Sequence, residues 1–433
     1  FVTLLLDEDR GRLYVGARNR VYVLNLEDLS EVLNLKTGWP GSCETCEECN
    51  MKGKSPLTEC TNFIRVLQAY NDTHLYVCGT NAFQPVCTLI NLGDLFSLDV
   101  DNEEDGCGDC PYDPLGNTTS VLVQGGELYS GTVIDFSGRD PSIRRLLGSH
   151  DGLRTEFHDS KWLNLPNFVD SYPIHYVHSF SDDKVYFFFR ETAVEDSNCK
   201  TIHSRVARVC KNDPGGRSYL ELNKWTTFLK ARLNCSIPGE GTPFYFNELQ
   251  AAFVLPTGAD TDPVLYGVFT TSSNSSAGSA VCAFSMSDIN QVFEGPFKHQ
   301  SPNSKWLPYR GKVPQPRPGQ CPNASGLNLP DDTLNFIRCH PLMDEVVPPL
   351  HNVPLFVGQS GNYRLTSIAV DRVRAGDGQI YTVLFLGTDD GRVLKQVVLS
   401  RSSSASYLVV VLEESLVFPD GEPVQRMVIS SKN

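Results

Sequence analysis

Leu13-Tyr-Val-Gly16, followed across Ala17-Arg-Asn19 by Val21-Tyr-Val-Leu24, is the stretch on which the fold turns. Two short runs rich in β-branched and aromatic residues flank a polar turn, which is the chemistry of an antiparallel hairpin. The pattern returns five times. Leu75-Tyr-Val-Cys-Gly79 precedes the apolar run 86–92, and Leu128-Tyr-Ser-Gly131 precedes 132–136. Val185-Tyr-Phe-Phe-Phe189 precedes Val206-Ala-Arg-Val209, and Leu265-Tyr-Gly-Val-Phe-Thr270 precedes Ala280-Val-Cys-Ala-Phe284. Val383-Leu-Phe-Leu-Gly387 meets Val393-Leu-Lys-Gln-Val-Val398 across Asp389-Asp390-Gly391, a strong hairpin signal.

Further strand-like runs lie between the hairpins, at 120–123, 366–370 and 423–429. A long-period repeat with about four strands per unit predicts an all-β propeller in which each unit is one blade. A β-sandwich would show turn signals at a shorter, uniform spacing. An α/β fold would need long amphipathic helices, and only two short candidates occur: 223–233, with Trp225, Phe228 and Leu229 on one face, and Asp331–Cys339. The interval after the fifth hairpin is the longest and includes the proline-rich Val313-Pro-Gln-Pro-Arg-Pro-Gly319. It reads as an extended connector inside an insertion, 296–350, within blade five of a single domain spanning 1–433.

The chain has 433 residues, 40% of them hydrophobic, which is enough for a large core. Its net charge of −14 argues against nucleic acid, whose binding needs a basic surface. Acidic clusters such as 101–105 read as solvated loops. No run approaches a membrane span, and no basic-then-apolar leader stands at Phe1, so any signal peptide or anchor is expected outside these residues. Fourteen cysteines and five sequons, at Asn71, Asn117, Asn234, Asn274 and Asn323, point to the secretory pathway and an extracellular location.

Several segments carry a specific likeness. They are Glu48-Cys-Asn-Met-Lys-Gly-Lys54, Thr58-Glu-Cys-Thr-Asn-Phe-Ile-Arg-Val66 and Tyr76-Val-Cys-Gly-Thr-Asn-Ala-Phe-Gln-Pro-Val-Cys87. Arg205-Val-Ala-Arg-Val-Cys-Lys-Asn-Asp213, Trp225-Thr-Thr-Phe-Leu-Lys-Ala-Arg-Leu-Asn-Cys235, Ser279-Ala-Val-Cys-Ala-Phe284 and Pro316-Arg-Pro-Gly-Gln-Cys321 follow in order. Together they resemble the sema domain of the semaphorins, from about residue 3 to the end, and within that family the membrane-anchored vertebrate classes.

The resemblance implies a seven-bladed propeller that dimerises and binds a plexin receptor as an extracellular guidance ligand. It implies that strands of the seventh blade, and the strand closing the ring, lie outside residues 1–433. Carried over by position, its disulfides are Cys49–Cys60, Cys78–Cys87, Cys210–Cys321 and Cys235–Cys282. Its receptor surface falls on Asp159, Lys161, Trp162 and Asn167, with Arg338 and His340, and Ser360 by position downstream. Position 338 often holds lysine in the family, and arginine changes the donor geometry. The competing reading of Trp162 is core packing, and of Arg338 a solvated surface charge. The dimer contact falls at Phe136, a hairpin-tip residue that could equally serve the core.

Cys43, Cys46, Cys107, Cys110, Cys199 and Cys339 remain, and spacing alone does not pair them. Cys46-x-x-Cys49 and Cys107-x-x-Cys110 raise the question of zinc, but the pairs stand too far apart for a zinc ribbon, and disulfides are the expectation. His175-x-x-His178 has no third ligand nearby and reads as surface histidines. No metal or cofactor is expected. A propeller glycoside hydrolase would need two carboxylates flanking a pocket, and no hydrolase or phosphate-loop motif occurs; Gly358-Gln-Ser-Gly361 falls one residue short of a nucleophile elbow. A structural or adhesive extracellular propeller is the remaining alternative.

Overall fold

The structure is a computed structural model. It describes the chain apart from residues 1–2, 33–34, 36, 94–95, 149–151, 175–182, 197–199, 217–222, 257–261, 274, 276–277, 302–304, 323–328, 359–362, 401–406 and 431–433, and apart from the side chains at 43, 100 and 400. His175, His178, Cys199, Asn274, Asn323 and Ser360 therefore lie outside the described residues, as does most of Gly358-Gln-Ser-Gly361.

Among the described residues, each hairpin is the centre of a four-stranded antiparallel meander. Three such sheets lie in one compact unit, residues 1–158 with short pieces 221–224 and 430–433. The first joins Thr3–Asp7, Arg12–Ala17, Arg20–Asn25 and Thr37–Gly38. The second joins Ile64–Asn71, His74–Gly79, Val86–Asn91 and Ser97–Leu98, with Glu104–Asp105 added beside the third strand. The third joins Thr119–Leu122, Leu128–Val133, Pro141–Leu146 and Leu153–Arg154.

Face-to-face packing of sheets explains the sequence pattern. The inward residues Tyr14, Val21 and Val23 of the first sheet meet Ile64, Leu75, Val77 and Ile90 of the second in one buried cluster. Gly16 is what lets the two approach. A Cβ there would lie 2.9 Å from the Ile64 side chain and 3.1 Å from Thr3.

The second unit comprises residues 159–220 and 225–429. Its sheets are Asn167–Ile174, Lys184–Thr192, Ile202–Cys210 and Leu229–Leu233; then Glu248–Leu255, Val264–Thr270, Ser279–Ser285 and Phe356–Gly358; then Leu365–Arg374, Ile380–Thr388, Arg392–Ser400 and Tyr407–Leu416. Between the third and fourth strands of the middle sheet the chain makes a long excursion. It holds helix α2 (Met286–Phe293), the small hairpin Lys298–Gln300/Trp306–Pro308 and helix α3 (Asp331–Cys339). Leu342–Val347 then joins the preceding sheet as a parallel fifth strand against Leu229–Leu233. Helix α1 (Cys43–Met51) lies in the first unit, capped by the Ser42 hydroxyl, which accepts from Thr45 N–H.

Three sequence expectations are corrected. The segment 223–233 forms no helix. Leu229–Leu233 is the outer antiparallel strand of its sheet, paired with Arg205–Arg208, with Lys230 and Arg232 on one face and Leu229, Ala231 and Leu233 on the other at the two-residue period of a strand. The third hairpin turns over 134–140, and its second strand is Pro141–Leu146 rather than 132–136. The run 423–429 carries no strand, yet Val424 is buried and its carbonyl accepts from the Thr366 and Ser367 hydroxyls. Helix α3 occupies the residues expected of it.

Candidate receptor and self-association surfaces

The stretch 159–167 begins with Asp159 closing a turn on itself. Its Oδ1 accepts the Lys161 N–H at 2.9 Å, its Oδ2 meets Lys161 Nζ at 3.0 Å, and its carbonyl accepts the Trp162 N–H at 3.0 Å. Asp159 and Lys161 thus engage each other at the surface. Asn167 starts the following strand, opposite Arg190.

Trp162 turns the other way and is only 2% exposed. Its ring stacks on Phe228 at 4.8 Å and 12°, and its Nε1–H donates to the carbonyl of Arg338 at 3.3 Å. A buried indole needs a partner for its N–H, and here that partner is the last turn of α3. Trp162 therefore shapes the surface from beneath, and the core-packing reading describes its position.

Helix α3 has Asp331 and Asp332 in its first turn and Arg338 in its last, the charge order its dipole favours. Phe336 and Ile337 face the core while Arg338 is exposed. His340 caps the end, stacked on the Phe336 ring at 4.1 Å with Nδ1 2.9 Å from the Phe336 carbonyl, and with Tyr309 and His299 beside it. Burial holds its pKa below the ordinary histidine value, so it is neutral at pH 7. The structure thus brings together Asp159, Lys161, Trp162, Arg338 and His340 on one assembly.

Beneath that assembly lies a buried ionic network that the sequence reading missed. Glu191 Oε1 accepts from Lys230 Nζ at 2.6 Å and Arg205 Nε at 2.9 Å, while its Oε2 accepts the Asn164 N–H at 3.0 Å. All three charged side chains are fully buried. Arg205 also reaches Glu195 at 2.6 Å, and Glu195 holds His203 at 3.0 Å. Burial alone would push the Glu195 carboxyl up, but Arg205 and His203 outweigh it and hold it well below the usual range. Burial dominates at Lys230 and lowers its pKa despite Glu191. The signal was present as charges set inside apolar strands, in Phe187-Phe-Phe-Arg-Glu191 and Leu229-Lys-Ala-Arg-Leu233.

In the other unit, Phe136 sits at the tip of its hairpin, 41% exposed. Asp135 organises the tip by accepting backbone N–H bonds from Ser137, Arg139 and Asp140 at 2.7–3.0 Å. The Phe136 ring lies 5.5 Å from buried Phe83, with Lys52 Nζ 5.5 Å and Lys54 Nζ 5.8 Å from its centroid. Phe83 ends a run of three left-handed residues: Asn81, Ala82 and Phe83 have φ of 41°, 56° and 65°. That strained turn is held by the Asn62 side chain, which accepts from Asn81 N–H at 3.0 Å and donates to the Trp39 carbonyl at 2.9 Å.

Cys49–Cys60, Cys78–Cys87, Cys210–Cys321 and Cys235–Cys282 are disulfides, the pairs that the family pattern carries. Cys210–Cys321 ties the long excursion to its neighbouring sheet. Cys46, Cys107, Cys110 and Cys339 are thiols, which corrects the expectation of disulfides for Cys46, Cys107 and Cys110. The reason is direction: Cys110 points into the core beside Cys78 and Cys87, whereas Cys107 Sγ donates to the Ile134 carbonyl at 3.3 Å. Among the described residues no group of three His, Cys, Asp or Glu side chains could hold a metal ion. No helix among them is long and apolar enough to cross a membrane. Of the sequons, Asn71 and Asn117 are exposed, whereas Asn234 is half-buried with its Oδ1 enclosed.

The Sema domain family model matches residues 249–431. Drosophila Semaphorin 2a superposes with a TM-score of 0.90 at 41% identity, covering 100% of this chain and 71% of that one. Drosophila Semaphorin 1a, extracellular domains 1–2, gives 0.88 at 46% identity over 100% of this chain and 82% of that one. A structure of Drosophila Plexin A in complex with Semaphorin 1b gives 0.88 at 40% identity, covering 100% and 81%. The four-stranded sheets are accordingly those of a β-propeller, and the chain is a signalling ligand rather than an enzyme. It belongs to the semaphorin family.

Proposed function

We propose that this chain is the extracellular, plexin-binding portion of a semaphorin guidance ligand, acting as a homodimer on a seven-bladed propeller. The observation that carries the reading is the match, over the whole chain, to a semaphorin solved in complex with a plexin. The receptor surface is the assembly around Asp159, Lys161, Asn167, Arg338 and His340, with Ser360 downstream, and Trp162 beneath it. The hydrogen bonds of the Asp159 turn and the Trp162 tether on the last turn of α3 hold the described groups, so a partner would meet a preorganised surface with little ordering cost. Disulfides and exposed sequons at Asn71 and Asn117 support the extracellular assignment.

The test is surface plasmon resonance of the complete sema domain against a panel of plexin ectodomains, with wild type and Arg338→Glu. Binding by wild type, with affinity lost in the variant by about 2–5 kcal/mol, is expected for a desolvated charge contact. No binding to any plexin sinks the function. Binding that is indifferent to Arg338→Glu leaves the function standing and moves the site elsewhere.

A further inference from the structure

The charge of this chain is unevenly distributed. Gly295 to Pro330 contains five lysines and arginines and no aspartate or glutamate, in a chain whose net charge is −14. Everything outside that stretch therefore carries −19. Two of the five cations are neutralised by carboxylates from outside: Lys298 Nζ lies 2.8 Å from Asp344, and Arg317 Nε lies 3.3 Å from Glu294 while its guanidinium covers Phe297. The other three are Lys305, Arg310 and Lys312. All are exposed, and among the described residues none has a carboxylate within 4.0 Å.

Their backbone is pinned. Ser301 N–H donates to the Lys305 carbonyl at 2.7 Å, and Lys305 N–H donates to the Ser301 hydroxyl at 3.2 Å, which closes the hairpin end. Tyr309 N–H donates to the Phe297 carbonyl at 2.7 Å, and its hydroxyl donates to the Lys312 carbonyl at 3.4 Å. The tyrosine ring folds over Gly311, where a Cβ would collide with its hydroxyl. Lys305, Arg310 and Lys312 therefore stand within seven residues of one another, beside the strand 306–308 and on the bend that follows it, a reach of at most roughly 23 Å at ~3.3 Å per residue.

We propose that this segment is a docking surface for a sulfated glycosaminoglycan. Three exposed cations without a carboxylate partner among the described residues, in a stretch that holds no aspartate or glutamate, suit a polyanion, whose repeated charges can meet each of them in turn without a convergent pocket. A protein partner would want a buried aromatic or aliphatic cluster at its centre. Here the exposed apolar contribution is Leu307. The net negative charge of the rest of the chain disfavours a polyanion over the remaining surface. The proposal goes beyond the receptor reading and shares with it only the extracellular location.

The experiment measures the complete sema domain on immobilised heparin across a sodium chloride series, with the triple variant Lys305→Ser/Arg310→Ser/Lys312→Ser and phosphatidylserine vesicles as a second probe. Wild type is expected to bind heparin with log K falling by roughly 2–3 per decade of salt, about one counterion for each cation. The triple variant should bind at least ten-fold more weakly, with unchanged melting temperature and unchanged plexin affinity. The proposal is overturned if wild type ignores heparin at low salt, if the variant binds heparin as wild type does, or if vesicles compete as well as heparin. Loss of plexin binding with heparin binding intact would also overturn it, by making the segment part of the receptor contact. Absence of plexin binding by wild type, with heparin binding as expected, would defeat the receptor reading alone.

Discussion

The Nε1–H of Trp162 donates to the backbone carbonyl of Arg338 at 3.3 Å, joining positions 176 residues apart in the chain. One end of that bond is buried against Phe228 and the other is the exposed last turn of α3. An aromatic core residue thus sets where the candidate receptor arginine stands.

Trp162→Phe should separate packing from the hydrogen bond. Phenylalanine keeps a ring against Phe228 and loses the donor, a change of about 1 kcal/mol in stability. Plexin affinity should fall several-fold because the last turn of α3 loses its tether. Trp162→Ala should cost about 3–5 kcal/mol in stability. Thermal melts and plasmon resonance check both, and a Trp162→Phe variant with wild-type affinity would remove Trp162 from the account of the site.

The hairpins were legible because a half-buried strand alternates and its turns need Gly, Asn and Asp. The helix expected at 223–233 fails for a related reason. Trp225, Phe228 and Leu229 satisfy a helical spacing, but Phe228 and Leu229 are buried as neighbours around the start of a strand. Periodicity over so short a window does not separate the two, and pairing with Arg205–Arg208 decides it. The buried Glu191 network was hidden by a general rule that charged residues face water. Which cysteines stay thiols depends on side-chain direction, as at Cys107 and Cys110, and spacing carries no direction.

Lys230→Met should destabilise the domain by about 3–5 kcal/mol, because Glu191 is left in a dry site with Arg205 as its remaining cation. Adding Glu191→Gln should recover part of the loss, with a coupling of roughly 1–3 kcal/mol between the two positions. Urea denaturation of the four proteins of the cycle gives the answer. Strictly additive effects would mean that Lys230 and Glu191 do not stabilise each other in the folded domain.

Asp109 is buried, and desolvation, only partly offset by the Tyr76 hydroxyl at 3.0 Å and by Arg144, raises its pKa to about 6 from 3.8. A raised carboxyl pKa means that the folded chain binds the proton more tightly than the unfolded chain. Its stabilising contribution is complete below about pH 4 and is lost as pH climbs through 6. Asp109→Asn keeps an acceptor for Tyr76 and removes the titration. The variant should be more stable than wild type above pH 6, by roughly 1–3 kcal/mol, and should lose this component of the pH slope. Denaturant melts at pH 4, 5, 6 and 7 test it, and parallel curves for the two proteins would refute the assignment.

Phe136→Glu should convert a dimer into a folded monomer. The ring is exposed at a hairpin tip that Asp135 holds through backbone N–H bonds, so the turn does not depend on it. In the isolated subunit a carboxylate there would lie near Lys52 and Lys54, which favours the folded state. At the centre of an interface the same carboxylate would have to be desolvated on both copies, at a cost of several kcal/mol. Phe136→Leu, apolar and smaller, should weaken the dimer without abolishing it. Sedimentation velocity on the complete domain gives the mass directly, and plexin binding on a sparsely coated surface gives the monovalent affinity. Phe136→Glu should keep that affinity while losing the avidity seen on a dense receptor surface, where a dimer gains from effective concentration. A wild type that sediments as a monomer, or a Phe136→Glu variant that stays dimeric, would place self-association away from this hairpin.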